Sequence, residues 1–455
     1  MRHYQTIIST LAFASLTACA TVGMTAAESV TKLEQQQRSK PNDAAVNRSL
    51  GIAYFRTERL REARTSLETS QKLDPKDGTT LLYLGLTDEA LGDLPAAKAA
   101  YSSYIQVGKT SRVRGQLQSR LAALARKEIA AEAKAAVAQE SSIGSQPSNP
   151  RTVAVLPLRF SGTDSTLRPL ERGFADLLTT DLARSSQLTL VERSRMQALL
   201  DEIKLQTSGA TDATTNVRAG KLLRAGRLVS GTINQVGAEN LRVDAAVVDV
   251  PTSQVGNPTT GSDVLDQVFN LEKTIALNLF NSLGVTLTVQ ERNLIEQRPT
   301  RSLQAFLAYS NGLVAEDQGR YDDAGRYFNE AVRIDPGFNA AQTKGQEIRA
   351  VNAGTNVTVT TVETSLKGTS EGAVVNAVAR GEPAAANTPP VNVAAAAQAT
   401  AESLNPSPTG TAAASGSTSS GGGGSAPGTK DPVSSGTGSD NPTGTAKVTI
   451  VIRRP

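Results

Sequence analysis

The sequence predicts an α+β multidomain chain, with helical repeats first, a central α/β sandwich, a single helical pair related to the repeats, and a disordered tail. Three observations carry this reading. Gly51 and Gly85 lie 34 residues apart within a recurring pattern of small and large apolar residues. Between residues 151 and 298, short apolar runs alternate with stretches of helical spacing. Residues 354–455 contain no Phe, Tyr or Trp and are dominated by Ala, Gly, Ser, Thr and Pro, which leaves little apolar area to offset ordering entropy.

The 455-residue chain opens with Arg2 and an apolar run from Ile7 to Ala18, which has signal-peptide length and is too short for a helix of about 20 residues to span a bilayer. Leu16-Thr17-Ala18-Cys19 then resembles the lipobox of bacterial lipoproteins, and Cys19 is the only cysteine. That resemblance implies cleavage of residues 1–18 and acylation of Cys19, with more than one chain giving firm attachment to a lipid bilayer. Ala20 stands where an Asp would favour retention at the inner membrane, so the resemblance implies the periplasmic face of the outer membrane. Residues 19–43 are read as a tether.

Cleavage would also remove His3, the only histidine. Thiol nucleophiles, Ser-His-Asp triads and His or Cys zinc sites then lose a required group, so no catalytic residue, metal ligand or cofactor is assigned and the protein is read as a non-enzyme. No GxxxxGK[ST] loop occurs, and the run Gly421 to Gly424 sits among Ser and Thr as flexible linker. The formal charge of +4 is too small to imply nucleic acid, and residues 354–455 hold six acidic and six basic side chains.

The repeat region spans residues 44–140. Leu50-Gly51, Tyr54, Leu60, Ala63, Leu67 and Asp74-Pro75 are followed by Leu84-Gly85, Gly92, Leu94, Ala97 and Tyr101. The pattern resembles the tetratricopeptide repeat, with copies over 44–77 and 78–111; Lys109 replaces the terminal Pro of the second. Leu117, Leu121 and Leu124 at i, i+4 and i+7 predict a capping helix to Glu140. Its Arg112, Arg114, Arg120, Arg126 and Lys127 are read as a solvated face. The resemblance implies binding of periplasmic or outer-membrane proteins on the concave helix face, where Arg48, Phe55 and Arg56 are the candidates, although two tandem copies fit a structural role equally. A third copy, Gly312, Gly319, Tyr321, Ala324, Phe328, Ala331 and Asp335-Pro336, falls within 299–350. A lone copy must pack on its neighbour.

After a linker over 141–150, the domain over 151–298 begins with the buried strand Thr152 to Leu158. Helical spacing follows over Leu167 to Ala183, then a strand at Leu188 to Val191, helices from Ser194 and over Val217 to Leu223, strands at Arg227 to Val236 and Leu241 to Val250, and a helix over Val268 to Leu283. The stretches VAVLPL (153–158), LTLVERSRMQALLDEIKLQTSG (188–209), AGKLLRAGRLVSGTI (219–233) and LRVDAAVVDVPTSQV (241–255) resemble the domain of the curli secretion lipoprotein CsgG and its holdfast-anchor relatives, related also to the amino-terminal domain of TolB. Glu192 and Arg193 are read as an ion pair at a strand-to-helix junction.

Channel members of that family insert two amphipathic hairpins into a shared barrel, each needing strands of about 9–11 residues. Here Val236 and Leu241 are four residues of connection apart, and Pro251 to Asp263 holds two Pro and almost no apolar alternation. The fold is therefore expected without the pore. The resemblance implies a lipid-anchored periplasmic scaffold for assembly or export of surface material, compatible with homo-oligomerisation; the competing reading is an outer-membrane lipoprotein that regulates peptidoglycan synthesis. The tail over 354–445 is read as disordered, with a root-mean-square reach of roughly 55 Å, ending in the strand-like segment 446–455, where Val448, Ile450 and Ile452 alternate with Thr449 and Val451.

Overall fold

The computed structural model describes residues 24–143, 147–206 and 213–384. Cys19 and the segment 446–455 lie outside the described residues, as does the tail beyond 384.

The first helix, α1 (Ala26–Ser39), begins at a capping box in which Thr25 and Glu28 satisfy each other's backbone N–H groups. Two helical hairpins follow, α2 (Ala44–Arg56) with α3 (Leu60–Leu73) and α4 (Gly78–Ala90) with α5 (Leu94–Val107). Asp43, Asp77 and Asp93 cap α2, α4 and α5 by accepting from first-turn N–H groups. Helices of each pair meet at the small residues of the repeat. A Cβ at Gly51 would lie 2.5 Å from Leu67 Cγ, and one at Gly85 2.5 Å from Tyr101 Cδ1. The long capping helix α6 (Ser111–Ala138) closes the stack, and the short α7 (Glu140–Ile143) follows it.

The central sheet comprises β1 (Asn149–Val155), β2 (Arg159–Ser161), β3 (Thr189–Leu190), β4 (Ala225–Val236), β5 (Asn240–Asp249), β6 (Gln254–Val255) and β7 (Thr259–Val264). Its order is β3-β1-β4-β5-β6, with β2 alongside β4 and β7 alongside β5. Strand β1 pairs parallel with β3 and β4, and β2 pairs parallel with β4, whereas β5 pairs antiparallel with β4, β6 and β7. Interleaved in sequence are α8 (Leu170–Leu182), α9 (Arg193–Gln206), α10 (Ala213–Leu222) and α11 (Val268–Ser282). Successive residues of a strand point to opposite faces. Val153, Val229, Ile233 and Val243 therefore pack with Phe174 and Leu178 of α8 and with Ile275 and Leu279 of α11. Ala154, Leu228 and Val248 pack on the other face with Leu199 of α9, Leu222 of α10 and Val137 of α6. Burial on both faces explains why Thr152 to Leu158 reads as a continuous apolar run.

Beyond α12 (Val289–Ile295), the third repeat forms α13 (Leu303–Asp317) and α14 (Tyr321–Ile334), followed by α15 (Asn339–Thr355). Gly312 repeats the close approach, its Cβ position 2.5 Å from Phe328 Cε1. Phe306, Tyr309 and Leu313 join the same apolar core as α8 and α11, so the lone repeat packs on the sandwich. Helix α15 crosses α6 closely, since a Cβ at Gly354 would meet the Ser119 carbonyl oxygen at 1.9 Å.

The structure differs from the sequence reading along the chain, and α7 and the start of β1 occupy the two ends of the segment read as a linker over 141–150. Part of the segment read as tether is α1, whose Val30 and Leu33 enter the core of the amino-terminal repeats. The connection over 251–263 contains β6 and β7, an edge pairing built on Thr259, Thr260 and Gly261; bare Gly261 lets Leu271 and Ile275 of α11 close over it. Ordered chain also continues past 354 as α16 (Val359–Leu366) and α17 (Ser370–Val378). These helices need no aromatic residues of their own, because Val362, Leu366, Val375 and Val378 share a core with Tyr83, Tyr101 and Tyr104.

Candidate protein-binding groove

The first helix of each amino-terminal repeat, α2 and α4, lines one face with α6, and α16 and α17 lie in it. Valine and leucine side chains of the inserted helices fill the apolar floor, and two carboxylates fix their position. Glu371, 3% exposed, accepts hydrogen bonds from the Tyr104 hydroxyl (3.0 Å), the backbone N–H groups of Lys109 (3.2 Å) and Thr110 (3.1 Å), and the Thr110 hydroxyl (2.5 Å). Burial, reinforced by the Glu371 charge, pushes the Tyr104 phenol well above its ordinary range. Glu363 sits at the rim. It accepts from Tyr83 Oη at 2.5 Å and from Arg56 Nη2 at 3.0 Å.

Each sequence-selected residue is placed by this geometry. Arg56 also donates to the Val375 carbonyl at 3.3 Å, so it holds both inserted helices. Half-buried Phe55 packs edge-on against Tyr83, with ring centroids 5.6 Å apart and planes at 81°. Arg48 is buried at 2% exposure and faces Asp77 at 2.6 Å, while its other terminal nitrogen donates to the Ala384 carbonyl. Thus Arg56 and Phe55 border the inserted helices, and Arg48 ties the repeat framework to the chain leaving α17. Tyr83, Tyr104 and Thr110 escaped the sequence reading. Tyr104 lies three residues after Tyr101 on α5, a spacing that could have marked a second inward position.

A second polar cluster joins the sandwich to the third repeat. Arg193, at the start of α9, pairs with Glu316 and Asp317 of α13 and reaches Asp176 of α8 at 3.6 Å. Its partners are therefore on other elements, not the adjacent Glu192. Burial works against the Arg193 cation, but the Glu316, Asp317 and Asp176 charges outweigh it and raise the pKa. Arg126 of α6 also pairs with Glu316, and Arg120 pairs with Glu89, so this flank of α6 is engaged instead of merely solvated. Beside the cluster is a cavity of about 280 Å³ lined by Arg126, Ser194, Gln197, Asp201 and Tyr321.

Among the described residues, no group of three or more His, Cys, Asp or Glu side chains could hold a metal ion, and no helix is long and apolar enough to cross a membrane.

The architecture defines a class: a mixed sheet covered by helices on both faces, flanked by tetratricopeptide-type hairpins. Comparison with known families makes it specific. Residues 134–244 match the family described as "Curli production assembly/transport component CsgG", and residues 309–338 match "Tetratricopeptide repeat". The chain thus carries a CsgG-type domain and a tetratricopeptide repeat. No curated protein matches it. Among solved structures, a match is to the "LpoB C-terminal domain from Salmonella enterica (Sel-Met)", with 13% identity over 29% of this chain and 93% of that one, at a TM-score of 0.20.

Proposed function

We propose that this protein is a non-catalytic, lipid-anchored scaffold on the periplasmic face of the outer membrane, where it serves assembly or export of surface material. The observation that carries the reading is a CsgG-type domain locked to repeat helices whose groove already accommodates a helical segment. Solenoid repeats of this kind present concave surfaces for protein partners. The domain supplies a rigid body, the repeats supply recognition, and acylated Cys19 supplies attachment.

No pore is assigned to β4 and β5. They are long, at 12 and 10 residues, but Ile233, Leu241 and Val243 pack into the core with α8 and α11, and the pairing ends at a tight turn at Gly237. Membrane fractionation of the source bacterium tests the anchor: wild type should sediment with the outer membrane and Cys19→Ala should be released. Deletion of the gene should reduce polymer displayed at the cell surface. Retention of Cys19→Ala in the membrane would refute lipid anchoring, and unchanged surface display would refute the assembly role.

A further inference from the structure

We infer that the α2, α4 and α6 groove is a receptor for an acidic, valine-rich helical segment, and that α16–α17 occupies it in cis as a displaceable plug. This rests on the protein-binding role proposed for the repeats and specifies its ligand and its control.

The donors that recognise the plug belong to the receptor. Tyr83 and Arg56 hold Glu363 from α4 and α2, while Tyr104, Lys109 and Thr110 hold Glu371 from α5 and the turn into α6. Thr110 is the N-cap of the 28-residue α6 but makes no side-chain cap bond to its own helix. Its hydroxyl goes to Glu371 instead. The N–H and the hydroxyl of Thr110 thus both donate to the Glu371 carboxylate, which places an acidic group of the plug at the N-terminus of α6. Two acceptor positions eight residues apart, with Leu366 and Val375 seated in the apolar floor, define what the groove reads.

The plug is also separable. Helices α16 and α17 have 8 and 9 residues and are joined through Gly368 at φ +76°, so neither is long enough to persist in water once released. The sandwich and the third repeat keep their own apolar clusters, which contain no residue of α16 or α17. Tethering gives the plug a high effective concentration, so a free ligand of equal intrinsic affinity binds weakly until the plug is unseated.

The test uses the full-length protein in mild detergent and a fluorescein-labelled synthetic peptide of residues 357–384. Glu371→Lys should lose hydrogen-exchange protection over 359–378 while retaining it in α2–α5, and should bind the peptide at least tenfold more tightly than wild type. Glu363→Arg, which perturbs only the rim, should give an intermediate gain. A peptide carrying Glu371→Lys should not bind either variant. If unseating the plug also abolishes protection in α2–α5, or if the unseated variants fail to take up the peptide, α16–α17 is a permanent part of the core and the inference is overturned. Such a failure leaves the Cys19 fractionation and surface-display results untouched, so it is distinguishable from failure of the scaffold role.

Discussion

Replacing Arg193 by Met tests whether the sandwich and the third repeat are one mechanical body. The substitution keeps the apolar stem and removes the cation from Glu316 (2% exposed), Asp317 (7%) and Asp176 (15%). At an effective dielectric of about 20, one contact at about 4 Å is worth about 4 kcal/mol of Coulomb energy before desolvation is charged against it. Breaking a buried pair by removing one partner costs about 3–5 kcal/mol. Arg126 and Lys344 remain near Glu316, and Arg172 remains 3.5 Å from Asp317, so the lower end of that range, about 3 kcal/mol, is expected. That corresponds to a fall in melting temperature of ~6–12 °C for a unit of 150–250 residues. Circular dichroism melts should show the loss, hydrogen exchange should show α13 opening first, and a cycle with Glu316→Gln should give a coupling of about 1–3 kcal/mol. A loss below ~1 kcal/mol without coupling would show that apolar contacts of Phe306 and Tyr309 suffice, refuting the assigned role of Arg193.

Two further substitutions probe the repeats and the sandwich core. Glu58 has φ +59° at the position where the other two copies place Gly92 (+81°) and Gly319 (+70°), so Glu58→Gly should stabilise the first repeat by about 0.5–1 kcal/mol, read as a higher urea midpoint. Glu272 is fully buried beside Asp181 and Lys273; burial, then the Asp181 charge, pushes its carboxyl up to about 8. The unfolded chain releases that proton near the ordinary carboxylate value while the folded chain keeps it, so stability present at pH 4 is lost as pH rises through about 8. Burial raises Asp181 as well, which adds to the same trend. Glu272→Gln should flatten the decline and gain on the order of a few kcal/mol at pH 9, measured by urea unfolding at pH 5, 7 and 9; an unchanged slope would refute a proton held there.

The repeat helices and the sandwich strands were legible because their signals are local. Gly51, Gly85 and Gly312 mark places where two helices touch, and the run from Thr152 to Leu158 marks a strand buried on both faces. What escaped was non-local. Helices α16 and α17 contain no aromatic residue, and composition alone could not show that Tyr83 and Tyr104, more than 250 residues earlier, would provide the apolar floor. A better signal was present in Val362 and Leu366 at i, i+4 and in the Thr358 and Thr369 caps. Strand β7 escaped for the converse reason: its inward position is Gly261, whose lack of a side chain is what admits Leu271. Arg193 was recognised as an ion-pairing residue, but its two hydrogen-bonded partners, Glu316 and Asp317, lie over 120 residues downstream on α13, beyond any neighbour rule.

The two ends of the described body are stitched together. In α1, Ser29 Oγ donates to the Ala379 carbonyl at 3.3 Å, Lys32 Nζ to Arg380 at 3.1 Å and Gln36 Nε2 to Gly381 at 3.5 Å. A pulling force applied between residues 24 and 384 would therefore meet a short, side-chain-to-backbone latch before it loaded any strand of the sheet. Under tension the Arg48 bond to the Ala384 carbonyl and this latch would carry the load first, and α17 and α16 would follow, opening the groove ahead of the sandwich. Stretching could thus be converted into exposure of a binding surface, with the sequence of rupture set by where the chain enters and leaves.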